Sequence, residues 1–259
     1  MFEDKDIDKM PGHWVLARMG KKVLRPGGKE LTQKLISGLG ITPSDHIVEF
    51  APGLGFTASL ALKQRPLSYT GVDADAEAVT LLQSKFTGSN IRFVQGNAAQ
   101  TSLPADTKDR VYGEAMLTMH ADHRKAEIIR EAARILKKGG LYGIHELGLM
   151  PDELDEHTKA QVQKSLALAI KVNARPLTAI EWTQLLEQNG FNVKTIMKAP
   201  MQLLEPMRMI DDEGWAGTAK ITLNILRNTK ARKRVLSMRR VFHQYGKQMN
   251  AIAIIAEKN

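Results

Sequence analysis

The sequence predicts an α/β fold: a mostly parallel sheet, doubly wound, with helices on both faces. Three observations carry that prediction. Apolar strand-like runs and helical patterns alternate without a break from residue 46 to 147, the order that builds a parallel sheet covered on both sides. At the first junction, IVEFAPGLGFTA (47–58) passes from an apolar run into two glycines one residue apart and then into a helix start. Beyond residue 150 the rhythm changes, and about fifty residues of helical character separate two late strands.

Taken in order, residues 1–28 read as a polar or irregular cap segment ending in the turn signal Arg25-Pro26-Gly27-Gly28. Leu31, Leu35, Ile36 and Leu39 recur at helical spacing before Gly40 stops the run. HIVEFA is the first strand, 56–63 a helix, 68–72 a short strand ending at Asp73, and 74–86 a second helix. Strands follow at 91–96 and within 109–117. Asp122 is placed to N-cap a helix running to Leu136, with Lys137-Lys138-Gly139-Gly140 supplying cations and a C-cap.

LYGIHEL (141–147) is the fifth strand, and 153–172 has an amphipathic helical pattern. Thr178 and Glu181 form a capping box with Leu177 and Trp182 as its staple, and that helix ends at Asn189-Gly190. Strands at 193–199 and 250–258 close the chain. No repeat or low-complexity linker interrupts it, so residues 1–259 read as one domain, with a core at 45–147 and a helical insertion at 200–248 between the last two strands.

Composition narrows the chemistry. Hydrophobic residues at 43% and charged residues at 25% suit a soluble globular chain. No apolar run approaches the ~20 residues of a membrane span. The acidic start MFEDKDIDKM lacks the apolar segment of a secretory signal, and together with the absence of cysteine this points to the cytoplasm. Zero cysteines also exclude a disulfide framework, a thiolate zinc site and a cysteine nucleophile. No metal site is expected. The net charge of +9, concentrated in Arg227, Lys230, Arg232, Lys233, Arg234, Arg239 and Arg240, suits a basic enzyme or a polyanionic neighbour such as nucleic acid or an anionic lipid surface.

A strand, a Gly-x-Gly turn and a helix N-terminus form a nucleotide cradle, because main-chain N–H groups point outward with no Cβ in the way. Asp73, eighteen residues past Gly55 at the end of the next strand, suits a ribose diol. Two ligands fit: a dinucleotide such as NAD, or S-adenosylmethionine. A pyrophosphate beside Glu49 would be repelled by ~1 kcal/mol or more at contact range, which favours the sulfonium cation.

EFAPGLG resembles the ExxxGxG motif of class I S-adenosylmethionine-dependent methyltransferases, and GVDADAEAV their second-strand acidic motif. VQGNAAQTSLP is similar to the family's adenine-reading turn, and REAARILKKGGLYGIHEL to its helix, glycine turn and fifth strand. The resemblance spans residues 45–147, with the small-molecule and quinone or lipid branch nearest. It implies a seven-stranded Rossmann-like sheet whose last strand is antiparallel, and S-adenosylmethionine as cofactor with S-adenosylhomocysteine as product. It places Glu49, Ala51, Gly53, Gly55, Asp73, Asn97, Ala98 and Glu114 around the cofactor; Asn97 stands where the family usually has Asp. Arg25 is positioned to neutralise the cofactor carboxylate.

Methyl transfer from a sulfonium is an in-line displacement, and alignment alone supplies ~7 to 11 kcal/mol. Where the acceptor needs a general base, His120, His145 and Glu146 are the candidates, since they lie near the carboxyl ends of strands. His13 and Trp14 are candidate substrate contacts in an N-terminal cap. The late methionines, Met201 and Met238 among them, suit an adaptable apolar pocket or an ordinary core.

The leading expectation is a methyltransferase acting on a small or lipid-like acceptor, with contact to an anionic membrane surface and a homodimer as further partner expectations. The alternatives are a nucleic-acid (RNA) methyltransferase, an NAD(P)-binding oxidoreductase, and a non-enzymatic binding protein. A nucleic-acid enzyme is less favoured, because no (Asp/Asn/Ser)-Pro-Pro-(Tyr/Phe) element follows the fourth strand.

Overall fold

A computed structural model describes residues 6–259. Two helices, α1 (Gly12–Arg18) and α2 (Gly28–Gly38), precede the alternating core of β1 (His46–Phe50), α3 (Phe56–Leu62), β2 (Ser68–Asp73), α4 (Ala76–Lys85), β3 (Ile91–Gln95) and β4 (Lys108–Glu114). A 3-10 turn (Leu117–Met119) leads to α5 (Asp122–Ile135) and the long β5 (Leu136–Leu149). Then come α6 (Glu156–Ile170), β6 (Leu177–Thr178), α7 (Ala179–Glu187), β7 (Phe191–Pro200), α8 (Pro206–Arg227), α9 (Thr229–Gln244) and β8 (Met249–Lys258).

The sheet runs β3-β2-β1-β4-β5-β8-β7, with the two-residue β6 paired to β5. Strands β1 to β5 pair in parallel, and β8 lies antiparallel between β5 and β7. The expected architecture is therefore present. Strands buried on both faces need apolar residues at successive positions, which Ile47, Val48 and Phe50 supply. One face packs Ile128, Ile129, Ala132 and Ile135 of α5 with Trp182 and Leu186 of α7. The other packs Leu31, Leu35, Ala58, Ala61, Val79 and Leu82 of α2, α3 and α4. A separate apolar cluster joins Val15 and Leu16 of α1, Val162 and Leu166 of α6, and Val235 and Met238 of α9.

The structure corrects several local readings. The first 28 residues are not all irregular: 12–18 form α1, which is too short to show a helical apolar repeat and is held by packing on α6 and α9. Asp122 does not cap α5; Ala121 holds that position, and the Asp122 carboxylate pairs with Lys125 at 2.7 Å. Lys137-Lys138-Gly139-Gly140 is no helix cap but an irregular start to β5, where Lys137 pairs with Asp109 at 2.6 Å. The Thr178–Glu181 capping box is formed. Between β7 and β8, α8 bends at Gly214, whose φ of 74° and ψ of 168° are non-helical.

Candidate active site

The two glycines after β1 do different work. Both are left-handed, Gly53 at φ 56° and Gly55 at φ 75°. A Cβ on Gly55 would stand 2.5 Å from Leu82 Cδ2 and 2.7 Å from Phe86 Cε2, so this glycine lets the turn pack against α4. A Cβ on Gly53 would meet only the Ala51 carbonyl oxygen, at 3.9 Å. Gly53 lines an open cavity and Gly55 does not.

That cavity holds about 760 Å³ of atom-free space beyond the carboxyl ends of β1, β2 and β4. Ala51, Pro52, Gly53 and Leu54 form one wall, with Phe56, Asp73, Glu114 and Arg25 around it. Asp73 is fastened by its neighbours: its Oδ2 accepts the Gly53 N–H and its Oδ1 the Asp75 N–H, each at 3.0 Å. Burial pushes its carboxyl up from the ordinary value, against those hydrogen bonds.

Glu114 is the hub of the charged wall. Its Oε1 accepts from Thr32 Oγ1 at 2.7 Å and lies 2.7 Å from His145 Nδ1, while its Oε2 accepts from Thr57 and lies 3.1 Å from Arg25 Nε. Burial alone would raise this carboxyl, but Arg25 and the His145 and Thr57 hydrogen bonds hold it down at about 2. Arg25 stacks over the Phe56 ring, 5.5 Å to its centroid. The segment bearing Arg25 is pinned from α8: Glu213 accepts the Lys22 and Val23 N–H groups at 2.8 and 2.9 Å, and Asp212 the Lys29 N–H at 2.9 Å.

A second, apolar cavity adjoins the first, with about 630 Å³ of atom-free space when its opening to solvent is included. Leu16, Leu166, Ile170, Leu203, Met238 and Phe242 contribute to its walls. His13, Leu24, Ala115 and Met119 line both cavities. Burial pushes the His13 ring down to about 4, so it is neutral at ordinary pH.

The family model described as "Methyltransferase domain" matches residues 47–140. Over 251 residues the chain is 33% identical to an uncharacterized protein of Haemophilus influenzae, spanning 95% of this chain and 98% of that one. It is 24% identical to erythromycin 3''-O-methyltransferase of Saccharopolyspora erythraea, over 79% of this chain and 70% of the other. The chain belongs to the class I S-adenosylmethionine-dependent methyltransferases. Haemonchus contortus phosphoethanolamine N-methyltransferase 2, solved in complex with S-adenosyl-L-methionine, shares the fold at a TM-score of 0.69 and 20% identity, over 95% of this chain and 56% of that one.

The donor of this methyltransferase is S-adenosylmethionine, and its open cavity fits that group. Arg25 Nε is paired with Glu114, but Arg25 Nη1 is buried without a hydrogen-bond partner, a donor suited to a carboxylate. Asp73 offers a carboxylate for a ribose, and nothing fills the space beside Gly53.

Other expected site residues of the methyltransferase lie elsewhere. Glu49 is buried behind the glycine turn, accepting from Tyr69 at 2.5 Å and Tyr112 at 3.0 Å, and it does not line the donor cavity. Burial raises its carboxyl to about 7. Asn97 Oδ1 is taken by Arg124 Nη2 at 2.6 Å and the Ala99 N–H at 3.0 Å, and neither Asn97 nor Ala98 reaches the cavity.

The three expected general bases are also displaced. His120 lines neither cavity and faces the cations of Arg124 and Lys125. His145 is fully buried between Glu114 and the Pro26 carbonyl, 2.6 Å from its Nε2, so it braces the Arg25 turn. Glu146 borders the apolar cavity, but its oxygens accept the N–H groups of Met116, Leu117 and Thr118 and the Thr118 hydroxyl at 2.7 to 3.0 Å. It holds the 3-10 turn in place. His13 and Trp14 do reach the donor cavity. Sequence reading missed Thr32, Thr57, Asp212 and Glu213, which act through long-range contacts with no local pattern.

Proposed function

We propose that this methyltransferase transfers its methyl group to a small, largely apolar acceptor held in the second cavity, with His13 at the transfer point. The observation that carries this reading is the shared wall, since His13, Leu24, Ala115 and Met119 line both cavities. A molecule in the apolar cavity meets aliphatic, thioether and aromatic side chains. Its one carboxylate, Glu146, is already saturated with hydrogen bonds. The Thr118 hydroxyl has already given its proton to Glu146, which leaves His13 as the polar lining side chain able to take a proton from an acceptor atom. Two methionines of the late segment, Met201 and Met238, stand in this cavity, while Met207 is exposed.

S-adenosylmethionine supplies an electrophilic methyl on a sulfonium. Asp73 would accept hydrogen bonds from the ribose and Arg25 would hold the carboxylate, with Glu114 fixing Arg25. A neutral His13 can accept the proton of a hydroxyl, amine or thiol as its lone pair turns toward the donor. The names of erythromycin 3''-O-methyltransferase and phosphoethanolamine N-methyltransferase likewise denote action on small molecules.

A panel of alkyl-substituted phenols, amines and thiols, incubated with radiolabelled methyl donor, tests the acceptor class. Label is expected in one apolar class. His13→Gln should lower kcat by about a hundredfold, with a much smaller change in donor affinity. Label entering only RNA, or an unchanged kcat in that variant, would overturn the reading.

A further inference from the structure

The outer face of the α8–α9 pair has a composition found nowhere else in the chain. From Trp215 to Asn250 there are nine lysines and arginines and no aspartate or glutamate. The acidic residues of α8, Asp211, Asp212 and Glu213, all precede the bend at Gly214, and the last two face inward to hold the Arg25 segment.

Three of the nine cations are used inside the molecule. Arg234 is buried and donates to the carbonyls of Ile7, Asp8, Met10 and Ala169. Lys230 pairs with Asp6 and Asp8, and Arg239 with Glu205. The other six, Lys220, Arg227, Arg232, Lys233, Arg240 and Lys247, are exposed and form no ion pair among the described residues.

Large apolar side chains stand among them. Trp215 is 76% exposed, Leu226 57%, Leu236 53% and Leu223 45%. With 3.6 residues per turn, Trp215, Ala219, Thr222, Leu223 and Leu226 form one stripe on α8, edged by Lys220 and Arg227. On α9, Leu236 lies one turn from Arg232 and Lys233 on one side and Arg240 on the other. Only Asn228 separates the two helices, so one stripe leads into the other.

We propose that this face rests on an anionic membrane surface. Trp215 and the three leucines would enter the interfacial region, and the six cations would lie against lipid phosphates. Exposed apolar side chains rimmed by unpaired cations match that layer on both counts. A nucleic-acid backbone would satisfy the cations alone and leave the four apolar side chains in water. The inner side of α9 contributes Met238 and Phe242 to the apolar cavity, which ties the surface to the acceptor site. The proposal rests on surface composition and stands whatever the acceptor is.

Cosedimentation of the full chain with vesicles tests it. The wild type should bind vesicles of phosphatidylglycerol and phosphatidylcholine in equal parts, ignore pure phosphatidylcholine, and lose affinity as salt rises. With about fivefold per cation, Arg232→Glu with Lys233→Glu should weaken binding about twentyfold or more. In a Trp14→Phe background, where Trp182 is fully buried, Trp215 fluorescence should shift to the blue on binding. Trp215→Ser should remove the shift and weaken binding. S-adenosylmethionine affinity should stay unchanged in the Arg232/Lys233 and Trp215 variants, which shows that they fold. No binding to anionic vesicles, equal binding by the charge-reversed variant, or retention of structured RNA without vesicle binding would each overturn the proposal.

Discussion

Arg25 Nε lies 3.1 Å from Glu114 Oε2, joining the N-terminal segment to the end of β4 at the wall of the donor cavity. Both groups are mostly buried, so each depends on the other for its charge. Arg25→Ala should weaken S-adenosylmethionine binding by ~1.5 kcal/mol or more, as for loss of charged hydrogen bonds. It should also release the Glu114 carboxyl from its depressed value of about 2. The stability that Glu114 contributes is complete above its unfolded value of 4.5 and fades as pH falls toward 2. Calorimetric titration and urea melts across that window measure both effects. An unchanged donor affinity would remove Arg25 from the site.

The two glycines should separate in their consequences. Gly55→Ala meets Leu82 and Phe86 at φ 75°, and overpacking with left-handed strain should cost about 2 to 4 kcal/mol of stability. Gly53→Ala meets open space at φ 56°, so strain alone of about 1 kcal/mol applies, while its methyl intrudes on the donor. Thermal melts and donor titrations should therefore rank the two variants in opposite orders.

His13 should make the fold sensitive to mild acid. Its ring titrates near 4 in the folded protein against 6.5 when unfolded. The unfolded chain thus binds the proton first, and stability declines as pH falls from 6.5 toward 4. The full loss is roughly 3 kcal/mol at 1.36 kcal/mol per pH unit. Urea melts of His13→Gln should show that much less acid destabilisation over the same window. Parallel curves for the two proteins would contradict the burial of this ring.

Glu49 acts with the opposite sign. Burial raises its carboxyl from 4.5 to about 7, so the folded state favours the protonated form. Its contribution is full below pH 4.5 and is lost as pH rises through 7, roughly 3 kcal/mol in all. Glu49→Gln keeps an acceptor for the Tyr69 and Tyr112 hydroxyls, so it should gain on the wild type as pH increases. Melts at pH 5 and pH 8 would show that gain, and an equal difference at both would count against it.

Local chemistry made much of the fold legible. The alternation of 46–147, the Gly-x-Gly turn, Asp73 at the end of β2 and the Thr178–Glu181 cap are short-range patterns, and each occurs in the structure where the pattern put it. Element ends were less legible. The Lys137–Gly140 stretch carries helix-cap chemistry, but it forms the irregularity of β5 between Leu136 and Leu141, the residues paired with β4. Helix α1 leaves no periodic trace in seven residues.

The candidate site divides the same way. Gly53 and Asp73 belong to one strand-turn-helix-strand unit, so their spacing in sequence already places them together. Side-chain direction did not follow from position. Glu49, His145 and Glu146 stand at the right strand ends, yet all three are buried and spent on internal hydrogen bonds. His13, read only as a substrate contact, became the group between the cavities because α1 packs on α6 and α9.

From sequence alone came the class of the fold, the Gly-x-Gly turn and the carboxylate of Asp73 beside it, since periodicity and turn chemistry act over a few residues. Tertiary structure alone decided which histidine stands between the two cavities, what holds Arg25 and where the apolar cavity opens. Those depend on segments brought together by burial of apolar surface, and such approaches carry no local signal in the chain.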